Sequence, residues 1–271
     1  MLKTILLTGA TDGIGLQTAK TLAPLGHLLL LHGRSSDKLE QTAQQLAAVP
    51  GAGPIEIYAA DLSDMTQTAA LAAAVSSKHE TIDVLINNAG VFMTPNPFTL
   101  DGLDIRFAVN TVAPFLLWTR LSPLMGPGGR VINLSSAAQS KVDLDALAGQ
   151  NRRPLSANEA YAQSKLAITM WSNHLAALHQ DDGPLFVAVN PGSLLGSKMV
   201  REAYGMAGGD LQIGADILTR AALSEDFAHA NGQYFDNDSG RFAKPHPDAT
   251  NPKKCAALVD VITGWLAAHA K

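Results

Sequence analysis

The sequence has one cysteine in 271 residues, Cys255, so neither an intramolecular disulfide nor a Cys-x-x-Cys pair is available to it. A structural thiol in a reducing compartment is the expectation. Charge is sparse as well: 16% of residues are charged, 20 basic side chains face 24 acidic ones, and the formal net charge is −4. No Lys/Arg cluster runs along any segment, which argues against nucleic acid and an anionic membrane surface as partners. No apolar run approaches the roughly 18 residues of a membrane span, and the opening run stops at Leu7, short of a signal sequence. A cytoplasmic chain without a membrane span is expected. Eight histidines are present, but none has His-x-x-x-His or His/Cys ligand spacing, so no metal is expected.

What is abundant is apolar, at 46% of residues, and it is arranged in short runs that alternate with longer helical patterns. That alternation predicts βαβ units on a parallel sheet. Strands are expected at 3–8, 27–32, 55–59, 82–86, 130–134 and 185–190, with a weaker one at 233–235. Most runs lack period-two alternation, which implies burial on both faces. Helices are expected at 14–25, 38–49, 65–77, 103–125 and 157–179, with a terminal amphipathic one over 252–271. Ser63 or Asp64 can cap the third. Pro114 predicts a kink in the fourth, or a later start.

No linker or internal repeat divides the chain, so residues 1–271 read as one α/β domain. Two segments break the alternation: an insertion at about 137–156, and a stretch rich in Gly and Met at about 193–215. Both follow strand C-termini, the edge of a parallel sheet where ligands bind. Met199, Tyr204 and Met206, flanked by Gly205, Gly208 and Gly209, suit either core packing or a mobile lid over an apolar substrate. Residues 236–240 (DNDSG) resemble the start of a calcium loop, but Gly falls one place early and no Glu stands at the twelfth position, so a turn is expected.

After the first strand comes Thr8-Gly9-Ala10-Thr11-Asp12-Gly13-Ile14-Gly15, leading into a helix. Glycines there let the backbone turn tightly and approach a pyrophosphate, and a helix N-terminus offers unpaired N–H groups and a positive dipole. At the end of the second strand, Arg34 offers a forked guanidinium and Ser35 a hydroxyl, with no acidic residue to hold a ribose. That favours NADP(H), with NAD(H) still open. Tyr161 and Lys165 are four apart and so share one helix face. An ammonium beside a phenol, helped by an oxidised nicotinamide, should lower the phenol's pKa from near 10 toward working pH.

The loop resembles the TGxxxGxG of the short-chain dehydrogenase/reductase family, and five further motifs follow in order: Asn87-Asn88-Ala89-Gly90, Asn110 in the next helix, Ser135-Ser136, Tyr161-x-x-x-Lys165, and Pro191-Gly192. The resemblance covers roughly residues 1–235. It implies a doubly wound Rossmann-type α/β fold, with a parallel seven-stranded sheet in the order 3-2-1-4-5-6-7 and helices on both faces. It also implies an oxidoreductase that moves a hydride between nicotinamide and an alcohol/carbonyl substrate. Tyr161 would be the general acid/base, Lys165 would hold the nicotinamide ribose, Ser136 the substrate carbonyl, and Asn110 a proton-relay water. Ser136 is preferred to Ser135 because strand alternation sends their side chains to opposite faces.

Cofactor contacts are implied at Gly9, Thr11, Asp12, Gly13, Ile14, Gly15, Arg34, Ser35, Asp61, Leu62, Asn88, Ala89, Gly90, Tyr161, Lys165, Pro191, Gly192 and Leu194. Asp61 suits a helix cap equally well. Gly196 stands where the family often has Thr, with Ser197 adjacent as a substitute. Ser136 and Tyr161 are 25 positions apart, longer than the family's usual spacing, which resembles the branch of retinol dehydrogenases, WW-domain oxidoreductases and protochlorophyllide reductases. The helices at 103–125 and 157–179 resemble the family's dimer-forming pair, which leaves a homo-oligomer open, with Trp118 and Trp171 either interface or core. Two other readings compete: a nucleotide sensor without turnover, which usually lacks the Tyr/Lys pair, and a sugar-nucleotide epimerase, which usually shows TGxxGxxG and a longer substrate domain.

Overall fold

The apolar runs read from the sequence form strands β1 (Thr4–Leu7), β2 (Leu28–Gly33), β3 (Ile55–Ala59), β4 (Val84–Asn87), β5 (Arg130–Leu134), β6 (Leu185–Asn190) and β7 (Gln233–Asp236). The structure, a computed structural model, describes residues 2–150, 154–180 and 182–270. Asn151, Arg152 and Arg153 of the expected 137–156 insertion, and Lys271 of the expected terminal helix, lie outside the described residues. Helices α1 (Gly13–Leu22), α2 (Ser36–Ala47), α3 (Met65–Ser76), α4 (Ile105–Phe107), α5 (Ala113–Leu121), α6 (Leu144–Leu147), α7 (Ala157–Leu178), α8 (Lys198–Tyr204), α9 (Leu211–Leu223) and α10 (Pro252–His269) connect and cover them.

The sheet order is β3-β2-β1-β4-β5-β6-β7-β8, so the expected order holds with one strand more than expected. β8 (Arg241–Ala243) pairs antiparallel with β7 across the 236–240 turn, whereas all other pairings are parallel. Its three residues, Arg241, Phe242 and Ala243, are too few to show a period. Tertiary packing reveals it: Phe242 stands edge-on to Phe235 at 5.1 Å and tilted against Phe227 at 5.2 Å.

Successive strand residues feed opposite cores, as a two-residue repeat requires. Leu6, Leu30 and Leu85 join residues of α3, α5, α7 and α10 on one face. Ile5, Leu7, Leu29, Leu31, Val84 and Ile86 join residues of α1, α2 and α9 on the other. Trp118 and Trp171, left open by the sequence, are buried in the first core, and Trp118 meets Phe186 edge-on at 4.7 Å.

Helix starts follow local chemistry. Asp64, not Ser63, caps α3 by accepting from the N–H groups of Thr66 and Gln67. Ser156 and Glu159 form a reciprocal capping box on α7. The single helix expected over 103–125 is interrupted: a π-helical turn, Ala108–Val112, separates α4 from α5, and Pro114 lies in the first turn of α5. A missing N–H is tolerated there, so the distortion falls upstream of Pro114, centred on Asn110.

The segment 193–215, expected as a lid, divides into a turn, α8 and the start of α9; Gly214 and Ala215 are buried in α9. The insertion carries α6, whose Ala146 and Leu147 are buried in the same core as Trp265 and Leu266 of α10. Cys255 of α10 is buried, with its thiol pushed up to about 11 by burial and by Asp248. Among the described residues no helix is long and apolar enough to cross a membrane.

Candidate active site

The turn from β1 into α1 is shaped by contacts that only glycine permits. Gly9 and Gly13 have φ of +68° and +54°, and a Cβ on Gly15 would lie 2.0 Å from the Gly9 carbonyl oxygen. Asn88, just beyond β4, staples the loop to the sheet: its Nδ2 donates to the carbonyls of Thr8 and Gly9 at 2.8 and 3.1 Å. Thr8 Oγ1 accepts the N–H groups of Asn88 and Ala89 in return.

His32 completes the cradle, and sequence reading missed it. Its Nδ1 accepts the Gly9 N–H at 3.3 Å, so Nε2 carries the proton and donates to the Ala60 carbonyl at 3.0 Å. Burial lowers its pKa to about 4, which keeps the ring neutral. The one signal available was a polar side chain ending an otherwise apolar strand.

A cavity of about 350 Å³ opens at the C-terminal edge of the sheet. Gly9, Thr11, Asp12, Gly13, Ile14 and Gly15 line one side of it, together with Arg34, Asp61, Leu62, Asn88, Ala89 and Gly90. Tyr161, Lys165 and Pro191 line it as well. Asp12 also caps α1 through Gly13 N–H, and Asp61 Oδ1 accepts both the N–H and the hydroxyl of Ser63. Arg34 is exposed and makes no ion pair among the described residues.

Five expected residues are not on this wall. Ser35 caps α2 by accepting from Lys38 N–H. Gly192 and Leu194 shape the turn after β6, with φ of +122° and +53°. Asn110 lies behind the wall and Ser136 beside Tyr161. Besides His32, the wall includes Phe92, Met93, Ile105 and Val109 on an apolar side, and Ser197, Lys198, Met199 and Glu202 from α8 and its cap.

Two of the four polar groups expected to act together, Asn110 and Lys165, converge near Gly90. A Cβ placed there would sit 3.4 Å from Asn110 Oδ1 and 3.7 Å from Lys165 Nζ. Lys165 Nζ donates to the Leu134 carbonyl at 2.7 Å and lies 5.7 Å from the centre of the Tyr161 ring. Ser135 Oγ donates to the Lys165 carbonyl at 3.0 Å and pairs with Thr169 Oγ1 at 2.7 Å, whereas Ser136 Oγ accepts the Ala138 N–H at 3.1 Å. The two side chains take different partners, and of the two it is Ser135, not the expected Ser136, that lines the cavity.

The electrostatics correct one expectation. The Tyr161 hydroxyl is pushed up to about 12, chiefly by burial, with Ser136 pulling it down and Tyr204 pushing it further up. Burial also lowers Lys165 to about 8. Burial, and not the neighbouring ammonium, sets the direction of the Tyr161 shift. Among the described residues no group of three or more His, Cys, Asp or Glu could hold a metal ion.

The family model described as short chain dehydrogenase matches residues 3–207. Human retinol dehydrogenase 13 is 32% identical over 274 residues, covering 94% of this chain and 82% of that protein. Mouse retinol dehydrogenase 12 is 33% identical over 246 residues, covering 86% and 77%. Among solved structures, an uncharacterized protein from Mycobacterium paratuberculosis superposes with a TM-score of 0.80 at 26% identity, covering 98% of this chain and 93% of that one. A short chain dehydrogenase from Burkholderia cenocepacia in complex with NADP gives 0.68 at 25% identity, covering 86% and 95%. With these matches added to the glycine cradle and the Tyr161/Lys165 wall, the chain belongs to the short-chain dehydrogenase/reductase family, in its retinol dehydrogenase-like branch, and is a hydride-transferring oxidoreductase.

Proposed function

We propose that the chain is an NADP-dependent oxidoreductase of an apolar alcohol/carbonyl pair, with Tyr161 as general acid/base. The observation that carries this reading is the convergence of Tyr161, Lys165 and the glycine loop on one cavity, with Asn110 and Ser136 directly behind and beside them. The cradle fits a dinucleotide: the Gly9–Gly15 approach leaves no room for side chains, and the first-turn N–H groups of α1 lack intrahelical acceptors.

Gly9 to Gly15 would hold the pyrophosphate, Asp61 and Leu62 the adenine end, and Pro191, Gly192 and Leu194 the nicotinamide end. Arg34, exposed on the cavity rim, would pair with a 2′-phosphate, and Ser35 beside it at the α2 start would add a hydroxyl. A bound nicotinamide supplies or accepts the hydride at the substrate carbon. Tyr161 delivers the proton to the substrate oxygen in reduction and removes it in oxidation, and Ser136 hydrogen-bonds the same oxygen. Lys165, held by the Leu134 carbonyl, supplies positive charge and ribose contacts near the phenol. Asn110 fixes the neighbouring backbone, and its Oδ1 and Lys165 Nζ both lie within 4 Å of a Cβ built on Gly90, so it would anchor the water that relays protons to the lysine. The apolar side of the cavity favours an apolar substrate.

The test is a fluorescence titration with NADPH and NADH, followed by turnover of a panel of aldehydes, ketones and quinones. Tight NADPH binding with turnover is expected, along with at least tenfold loss of NADPH preference in Arg34→Ala. Binding without turnover of any carbonyl would instead indicate a nucleotide sensor, and no binding would sink the proposal.

A further inference from the structure

Phe92 stands between two tyrosine rings. Its centroid is 4.7 Å from that of Tyr161 and 6.2 Å from that of Tyr204, so it forms the aromatic wall beside the proposed acid/base. Phe92 itself belongs to the irregular segment after β4, where no ladder holds the main chain. Side chains do so instead. Asn110 Oδ1 accepts the Val91 N–H at 2.8 Å, and its Nδ2 donates to the Val91 carbonyl at 3.0 Å. One residue on, Arg106 Nη1 donates to the Phe92 carbonyl at 3.2 Å.

Arg106 can do this because its fork is already oriented. Its Nε and Nη2 bind the two oxygens of Asp104 at 2.9 and 2.7 Å, and Asp104 also accepts the Arg106 N–H as the cap of α4. Arg106 is 3% exposed and Asp104 2%. Burying an ion pair generally adds little stability over a well-packed apolar pair, whereas it does impose a geometry. Here the imposed geometry is the direction of the Phe92 carbonyl, and with it the placement of the ring against Tyr161.

We infer that Phe92 is a specificity-determining residue and the Asp104–Arg106 pair its positioning clamp, together selecting flat, unsaturated carbonyl substrates over saturated ones of the same size. A planar substrate with its carbonyl at Tyr161 can make face-to-face or edge-to-face contact with the Phe92 ring, and a puckered ring of the same size gains less from that ring. This rests on the oxidoreductase reading of the same cavity.

The experiment compares benzaldehyde with cyclohexanecarbaldehyde as NADPH-dependent substrates. Their carbon skeletons match in size and differ in planarity. The wild-type protein should favour benzaldehyde in kcat/KM by roughly three- to tenfold, and Phe92→Leu should bring the ratio near one. Arg106→Lys keeps a cation for Asp104 but loses the planar fork that also reaches Phe92, so it should lower the ratio while melting near the wild-type temperature. Asp104→Asn with Arg106→Gln removes both charges together and leaves neither buried alone, and it should behave likewise. NADPH affinity should be unchanged in all three.

A ratio near one in the wild type, or one untouched by Phe92→Leu, overturns the role of Phe92. A ratio lowered by Phe92→Leu but unmoved by both clamp variants overturns the clamp. Reduction of other carbonyls but of neither aldehyde overturns the substrate preference and leaves the oxidoreductase reading standing. Failure to bind NADPH or to reduce any carbonyl removes that reading, and the inference with it.

Discussion

Asn110 satisfies both main-chain hydrogen-bonding groups of Val91, 19 residues earlier in the chain, and at the same time donates to Ser164 Oγ on α7. One buried amide therefore ties the segment after β4, the π-helical turn and the helix that carries Tyr161 and Lys165. The π turn matters here because widening the helix by one residue turns position 110 toward Val91. Asn110→Leu should leave the Val91 groups without their partners and destabilise the protein by about 3 kcal/mol. Urea unfolding measures this, and a loss below about 1 kcal/mol would show that water replaces the amide at little cost.

Lys165 is neutralised more readily than an ordinary lysine, with a pKa lowered to about 8 by burial, while Tyr161 stays protonated to about 12. Below about pH 8 the lysine carries its charge and the tyrosine its proton, the combination that the proposed reduction requires. The rate of reduction should be flat up to that pH and then fall by roughly tenfold per pH unit. Tyr161→Phe should lose at least about a hundredfold in rate while retaining NADPH affinity. A rate plateau extending to pH 10, or an active Tyr161→Phe, would contradict these roles.

Gly15 tests the cradle. Gly15→Ala forces the Gly9 carbonyl away from a Cβ that would otherwise lie 2.0 Å from it, and the shift distorts the loop that faces the cavity. Loss of about 2 kcal/mol of stability and at least tenfold weaker NADPH binding are expected. Gly128→Ala is the control, because a Cβ there meets nothing within 4 Å. Equal behaviour of the two variants would show that the loop adjusts freely.

His32 should make the fold acid-sensitive. In the unfolded chain it takes up a proton as pH falls below about 6.5, whereas in the folded protein burial delays protonation to about 4. The unfolded state therefore binds more protons across that window, and folding stability falls as pH drops from 6.5 to 4, by about 3 kcal/mol in all. Urea midpoints at pH 7, 5.5 and 4.5 should decline less steeply in His32→Gln than in the wild type. Parallel declines would assign the acid sensitivity to other groups.

Much of this protein is determined by short-range information in its sequence. Buried strands show as unbroken apolar runs, α3 and α7 start at polar caps, Tyr161 and Lys165 share a face because they lie four apart, and Gly9, Gly13 and Gly15 mark a turn that side chains would block. Each of these depends on neighbours within a few positions, so periodicity and spacing carry it. What only the tertiary structure decided depends on groups far apart in the chain: His32 on Gly9, Asn110 on Val91, Arg106 on Phe92, and β8 on β7. The direction of the Tyr161 shift belongs there too. Spacing places the ammonium nearby, but the amount of water removed from the phenol is set by the residues that cover it, and that desolvation sets the direction of the shift.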